Sequence, residues 1–356
     1  MQKTFYLVIS LLFIQLTSIG QDSIPEKINF SGFLDAYYSY NFNQPKSLGN
    51  WGSTGVGRVF DGEHDHLALN IVQLKADYES KQFDFVGDFI FGPGAELAQF
   101  GNKGTSISVK QAYGVWKMNS KTQLTFGQFG THIGYELVDA PDNFHYSLSY
   151  LFANGPFYHM GLKLNRELND KVNVMIGLLN GWDHIVDNNN SKTFAGQINF
   201  TPNDKTNLTL NYIGGNEDPI TLTGDSISDY KQMADLVLSS QLSAKFKLTL
   251  NSAFGVYHFD QSNQYWGGTA IYLEYLWSKK WTSGVRAEFF DDSSNVQYLG
   301  AAYQGYTLTL NYVAVEDHLH IKPEFRLDNA SRAIYSTSSG MGSQQSTVGI
   351  AMVGFF

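Results

Sequence analysis

From Leu319 to Asp328 the chain alternates without a break: Leu319, Ile321, Pro323, Phe325 and Leu327 fall on one face of an extended segment, and His320, Lys322, Glu324, Arg326 and Asp328 on the other. Successive side chains of a strand point to opposite faces, so this period of two predicts a strand with one apolar and one charged face. The scheme recurs at Tyr306 to Val315, where Leu308, Leu310 and Tyr312 oppose Thr307, Thr309 and Asn311. It recurs again at Asn207 to Ile213 and at Phe246 to Tyr257. Helical spacing is scarce. Read this way, the chain predicts strands near residues 28–40, 66–78, 83–91, 107–118, 123–133, 157–165, 172–180, 193–200, 206–214, 230–241, 246–259, 266–277, 281–290, 306–315, 319–328 and 347–356. That is about sixteen, an even number as bacterial outer-membrane barrels have.

Length and punctuation separate a barrel from a soluble sandwich, whose strands average about 5 to 6 residues. The segments here run to about ten, which a tilted strand needs to cross a bilayer. Connections alternate in length. Short ones, such as Glu79 to Gln82, Asn119 to Thr122 and Glu316 to His318, fall between long ones, such as Asn41 to Asp65, Gly92 to Ser106, Gly134 to Pro156 and Asn329 to Ser346. Short periplasmic turns facing long outer loops predict an all-β, transmembrane antiparallel barrel. The short outer connection Asp260 to Tyr265 is the exception, and it leaves the strand count open by one or two.

The two ends agree with export. Lys3 precedes an apolar run from Phe5 to Ile14 that closes on Ser18-Ile19-Gly20, which predicts a signal peptide over residues 1–20 and a single barrel domain over 21–356. The chain has no Cys, so an N-terminal lipid anchor, disulfides and thiolate metal sites are not expected. Removing the signal takes the net charge from -9 to -10, which argues against a nucleic-acid partner. Aromatic residues make up 15% of the chain, as suits girdles at the two membrane interfaces, and the mean hydropathy of -0.22 does not suit a helical membrane protein. The last residues, STVGIAMVGFF, put Val348, Ile350, Met352 and Phe356 on one face. A final strand ending in an aromatic residue resembles the signal read by the barrel-assembly machinery.

Four stretches carry a resemblance to a known family: FSGFLDAYYSYNFNQP (Phe30 to Pro45), FGQFGTHIGYE (Phe126 to Glu136), DAPDNFHYSLSYLFANGPFYHMGLKL (Asp139 to Leu164) and HIKPEFRLDNA (His320 to Ala330). The chain resembles the beta-barrel porin-2 family of outer-membrane proteins. The resemblance implies a porin-like barrel in the outer membrane of a Gram-negative bacterium. It also implies a basic residue, in many relatives, where this chain has Leu148.

As a porin the chain would pass small hydrophilic solutes passively, in contact with outer-membrane lipid and without a cofactor. By analogy with sixteen-stranded porins, the third outer loop, Gly134 to Pro156, is expected to fold inward. Its carboxylates Glu136, Asp139 and Asp142 would form one wall of a constriction, with Lys163, Arg286, Lys322 and Arg326 on the other. Glu288, Glu324 and Asp328 would share the lumen face, as would Asp84, Asp88 and Glu274. A homotrimer is possible by the same analogy.

Other chemistry is weakly signalled. His64-Asp65-His66 and Asp317-His318-Leu319-His320 lack a second element to complete a metal site, and Asp187, Asp218 and Asp292 lack the spacing of a calcium loop. Gly49 to Gly57 has no GK[ST] ending and reads as a flexible loop. No G-x-S-x-G or H-E-x-x-H occurs, so an enzyme, including a barrel lipase, is not expected. A structural or adhesive barrel is the main rival, and an open lumen would separate it from a porin.

Overall fold

A computed structural model describes residues 27–50, 57–99, 102–217, 229–259 and 262–356. Among these, sixteen strands close into one antiparallel barrel. They are β1 (Lys27–Asn41), β2 (His66–Glu79), β3 (Phe83–Phe91), β4 (Val109–Asn119), β5 (Thr122–Gly130), β6 (Tyr158–Asn169), β7 (Val172–Leu179), β8 (Thr193–Asn203), β9 (Thr206–Gly215), β10 (Tyr230–Gln241), β11 (Phe246–Phe259), β12 (Ser262–Ser278), β13 (Trp281–Asp291), β14 (Ala302–Val315), β15 (Leu319–Ala330) and β18 (Gln344–Phe355). The two-residue strands β16 (Tyr335–Ser336) and β17 (Met341–Gly342) pair with each other outside the barrel sheet. Each barrel strand pairs with its chain neighbour, and β1 closes on β18 with Phe33 opposite Phe355 and Asn41 opposite Thr347. Closure leaves no strand edge unpaired, the condition for a sheet to sit in hydrocarbon.

The alternation sorts the two faces. Along β13, Val285, Ala287 and Phe289 are exposed and Arg286, Glu288 and Phe290 are buried. Register carries the apolar face sideways: Val285 lies opposite Leu308, Leu308 opposite Phe325, and Phe325 opposite Val348. These four are 42–48% exposed, an unfavourable row in water and a favourable one against lipid. At the turn end of the same wall, Trp281 packs on Tyr312 and Tyr275 on Trp277, each with ring centroids 4.5 Å apart, as an interfacial girdle would.

Local chemistry makes the short turns. In Asn119-Ser120-Lys121, Asn169-Asp170-Lys171 and Asn203-Asp204-Lys205, the Asn side chain accepts the backbone N–H of the Lys two residues on, at 2.9 Å each time. This Asx turn closes a hairpin without help from the rest of the chain. Pro323 shows the opposite effect. It pairs with Ile350 of β18, but the ladder to β14 stops between Thr309 and Tyr312, where the N–H that proline lacks would have bonded.

The architecture expected from the pattern is the one found, and the short outer connection is no miscount: Phe259 and Ser262 pair directly. The pattern did not announce the helices α1 (Pro93–Ala98) and α2 (Tyr150–Ala153), which are too short to show a helical period. The last strand begins at Gln344, three residues earlier than the alternation suggests. The signal-peptide stretch and most of the Gly-rich stretch, residues 51–56, lie outside the described residues. Among the described residues no helix is long and apolar enough to cross a membrane.

Candidate functional site

Between β5 and β6 the chain turns inward. Its first bonds cross to the far wall: His132 Nε2–H donates to the Tyr212 carbonyl of β9 at 3.0 Å, and Gly134 N–H donates to Asp235 of β10 at 3.1 Å. Tyr135 then packs on Tyr272 of β12, and Glu136 reaches Arg286 of β13 at 2.8 Å. Residues 131–157 therefore lie inside the barrel and meet inward side chains from many strands.

The wall that holds this loop is built by strand periodicity. Arg286 and Glu288 stand two apart on β13, Arg326 and Asp328 two apart on β15, and each pair shares the lumen face. In register, Arg286 lies opposite Thr307 and Thr307 opposite Arg326, while Gly305 separates Glu288 from Asp328. A Cβ at Gly305 would lie 2.7 Å from Glu288 Oε1, so a larger residue there would have to shift the Glu288 side chain. Arg286 bonds Glu288 at 3.1 Å, and Arg326 bonds Asp328 at 2.7 Å.

Irregular backbone inside a barrel must find partners for its N–H and C=O groups. Here the wall charges supply them. Arg286 donates to the Ser147 carbonyl at 2.6 Å, Arg326 to that of Leu148 at 2.7 Å, and Lys322 to those of Ala140 and Asn143 at 2.9 and 2.5 Å. In return, the amides of Tyr146 and Ser147 donate to Glu324 at 2.9 and 3.0 Å, and that of Tyr150 to Glu288 at 2.7 Å. Tyr150 Oη donates to Asp328 at 2.9 Å, and Tyr146 Oη to Asp35 of β1 at 2.7 Å. Phe144 lies against Gly284, where a Cβ would fall 2.2 Å from the ring. On the other flank Ile133 and Leu151 join an apolar cluster with the inward Met175, Leu179, Ile213, Met233 and Trp266.

This environment sets the state of the loop's titratable groups. Burial pushes the His132 imidazole down to about 4. Burial, reinforced by the charges of Arg286, Lys322 and Arg326, holds His145 well below its ordinary value. Burial and neighbouring Asp139 raise the Asp142 carboxyl. Each histidine is thus kept neutral, and His145 Nδ1 is 2.7 Å from Thr309 Oγ1.

Glu136 and Arg286 were expected on opposite walls. They touch instead, because the loop docks on that wall and does not face it across water. Asp139 is bonded to Lys110 of β4, a partner the sequence reading missed, and to Gln73 at 3.1 Å. Asp142 is exposed next to it. Glu288, Glu324, Asp328, Lys322 and Arg326 belong to the docking wall. Lys163 stands apart on β6 with its Nζ 4.3 Å from the centre of the Phe129 ring. Arg58 of the first outer loop was also missed. It is buried, bonded to Asp61, Asp328 and Thr347, and adds a second inserted segment. The inward phase of Asp35, Tyr37, Ser39 and Asn41 along β1 was the available signal for that side of the lumen.

Leu148, where the resemblance implied a basic residue, packs with Phe33, Phe60, Ile71 and Ile90. Among the described residues no group of three or more His, Asp or Glu could hold a metal ion. His64 Nδ1 accepts the Asn41 N–H at 2.9 Å. Asp292 accepts the backbone N–H groups of Val296, Gln297, Leu299 and Gly300, so it organises its own loop. Asp218 lies outside the described residues.

Comparison with known proteins accords with this geometry. The model of the family described as "Putative beta-barrel porin-2, OmpL-like" matches residues 27–356. Among solved structures, OmpT of Vibrio cholerae in a trimer form is similar with a TM-score of 0.62 at 10% identity, covering 93% of this chain and 99% of that one. The outer-membrane channel DcaP of Acinetobacter baumannii has a TM-score of 0.59 at 15% identity, covering 93% and 97%. An anion-selective porin from Comamonas acidovorans has a TM-score of 0.60 at 10% identity, covering 93% and 100%. At such identities these likenesses speak for the fold. A comparison of the sequence with curated proteins finds no match.

Proposed function

The chain belongs to the beta-barrel porin-2, OmpL-like family of outer-membrane porins, and from that premise we propose that it passes small hydrophilic solutes by passive diffusion through a lumen narrowed by residues 131–157. The observation that carries this reading is the docked loop. Its charged contacts are paired, Glu136 with Arg286 and Asp139 with Lys110. Paired charges attract passing ions weakly, and the apolar packing of Ile133 and Leu151 occupies part of the cross-section. The reading therefore calls for a channel of small conductance with a fixed constriction.

Full-length protein refolded into planar bilayers tests it. Stepwise conductance that grows when residues 137–148 are replaced by a short Gly-Ser link supports the proposal. A silent bilayer with folded, heat-modifiable protein overturns it and favours a structural barrel, the reading to which the apolar packing inside the lumen lends weight.

Three finer points belong to the same reading. Export through residues 1–20 predicts that protein isolated from outer membranes starts at Gln21. The end of the last strand, where Phe356 N–H donates to the Gly32 carbonyl at 3.1 Å, would present Phe356 to the assembly machinery. A trimer is the oligomeric state to look for first, by light scattering in detergent.

A further inference from the structure

The inward-facing cations of this barrel are almost all spoken for. Lys75 pairs with Asp77 at 3.1 Å, Lys117 with Asp84 at 2.7 Å, and Lys247 with Glu274 at 3.2 Å. Lys110 bridges Asp88 and Asp139, Arg286 and Arg326 are held by acids, and Lys322 is held by two carbonyls. A cation whose charge is matched at contact distance offers little field to a passing ion.

Lys163 differs in three respects. Among the described residues its Nζ has no hydrogen-bond acceptor and no ion-pair partner, only the face of Phe129 at 4.3 Å. The residue is partly exposed, whereas Arg286 and Arg326 are sealed. Its strand, β6, lies diametrically across the barrel from β14, the middle of the wall on which the loop is bonded. Beside it in register stand Gly177 of β7 and, next, Ala195 of β8, neither of which brings a charge. The nearest titratable neighbours, His132 and His159, are further bases and bring no negative charge. Both are engaged with backbone carbonyls, of Tyr212 and Gly181.

We propose that Lys163 is the residue that sets the ion preference of the channel, pairing with small anions such as chloride, phosphate or carboxylates as they pass the docked loop. The inference rests on the porin reading. An ammonium in a narrow lumen of lowered dielectric stabilises an anion beside it and raises the energy of a cation. The charge, and not the shape of the side chain, carries the effect.

Reversal potentials of the full-length protein under a potassium chloride gradient test the assignment. Lys163→Gln should lower the chloride-to-potassium permeability ratio by about threefold, the effect of one unmatched charge near the narrow level, and Lys163→Arg should keep the wild-type ratio. Because the chain has no Cys, Lys163→Cys offers an independent route. Attaching an aminoethyl group through a thiosulfonate reagent should restore the ratio, and a neutral methyl reagent should not. An unchanged ratio in Lys163→Gln at wild-type conductance, or failure of the positive reagent to shift Lys163→Cys, overturns the assignment while leaving the porin reading intact. A silent wild-type protein overturns the porin reading itself.

Discussion

Glu136 and Arg286 stand 150 residues apart in the chain and 2.8 Å apart in space, both buried, one on the inserted loop and one on the barrel wall. A buried pair of this kind is costly to break from one side, because the remaining charge has no water to return to. Glu136→Ala should therefore destabilise the folded barrel by about 3–5 kcal/mol, and Glu136→Ala with Arg286→Met should recover much of the loss. Urea unfolding followed by heat-modifiability on gels measures both. Equal midpoints for Glu136→Ala and wild type would show that the loop is not held by this pair.

Gly284 is the seat of Phe144. A side chain there must displace the ring, since even a Cβ would lie 2.2 Å from it. Gly284→Val should free the stretch around Phe144 while leaving the strands paired, because β13 keeps its register through Ser283 and Val285. Hydrogen exchange should show faster exchange at residues 143–148 and unchanged exchange in β13 and β14. Uniform protection would refute the contact.

Acid should loosen the loop. His132 titrates near 4 in the folded barrel and near its ordinary 6.5 when exposed, so between these values the open form binds more protons. The stability it contributes is complete above about 6.5 and falls as pH drops toward 4. His145, held neutral on the same loop, acts with the same sign. Protection of residues 131–136, corrected for intrinsic exchange rates, should be lower at pH 5 than at pH 7.5, and His132→Asn should shrink the difference. A pH-independent protection factor in the wild type would contradict this account.

The row Val285, Leu308, Phe325 and Val348 is placed against hydrocarbon. Leu308→Arg should cost about 2–4 kcal/mol in lipid if this row lies near the bilayer midplane. The same change at Thr307, on the lumen side, would test loop docking instead. Folding titrations in lipid vesicles distinguish the depth of the row, and a neutral Leu308→Arg would move the membrane boundary elsewhere.

Much of the barrel is legible in the chain because its determinants are local. Alternation along Leu319 to Asp328 names the lipid face, Asn-x-Lys closes three hairpins by a bond within the turn, and Arg286 with Glu288, like Arg326 with Asp328, must share a face because they are two apart. The inserted loop is another matter. Its composition marks Glu136 and Asp139 as candidates for a lumen role, yet nothing local says that Glu136 would meet Arg286, that Asp139 would meet Lys110, or that the carbonyls of Ser147 and Leu148 would take up the wall's arginines.

By itself, then, the sequence determined the strand pattern, the alternation of turns and loops, and which side chains face inward, since a period of two needs only neighbours along the chain. Only the tertiary structure decided which of those inward charges cancel. Pairing between Glu136 and Arg286, and the lack of a hydrogen-bond or ion-pair partner for Lys163 among the described residues, depend on where a twenty-seven-residue loop, 131–157, comes to rest inside a closed barrel, and that is set by contacts between segments far apart in the chain.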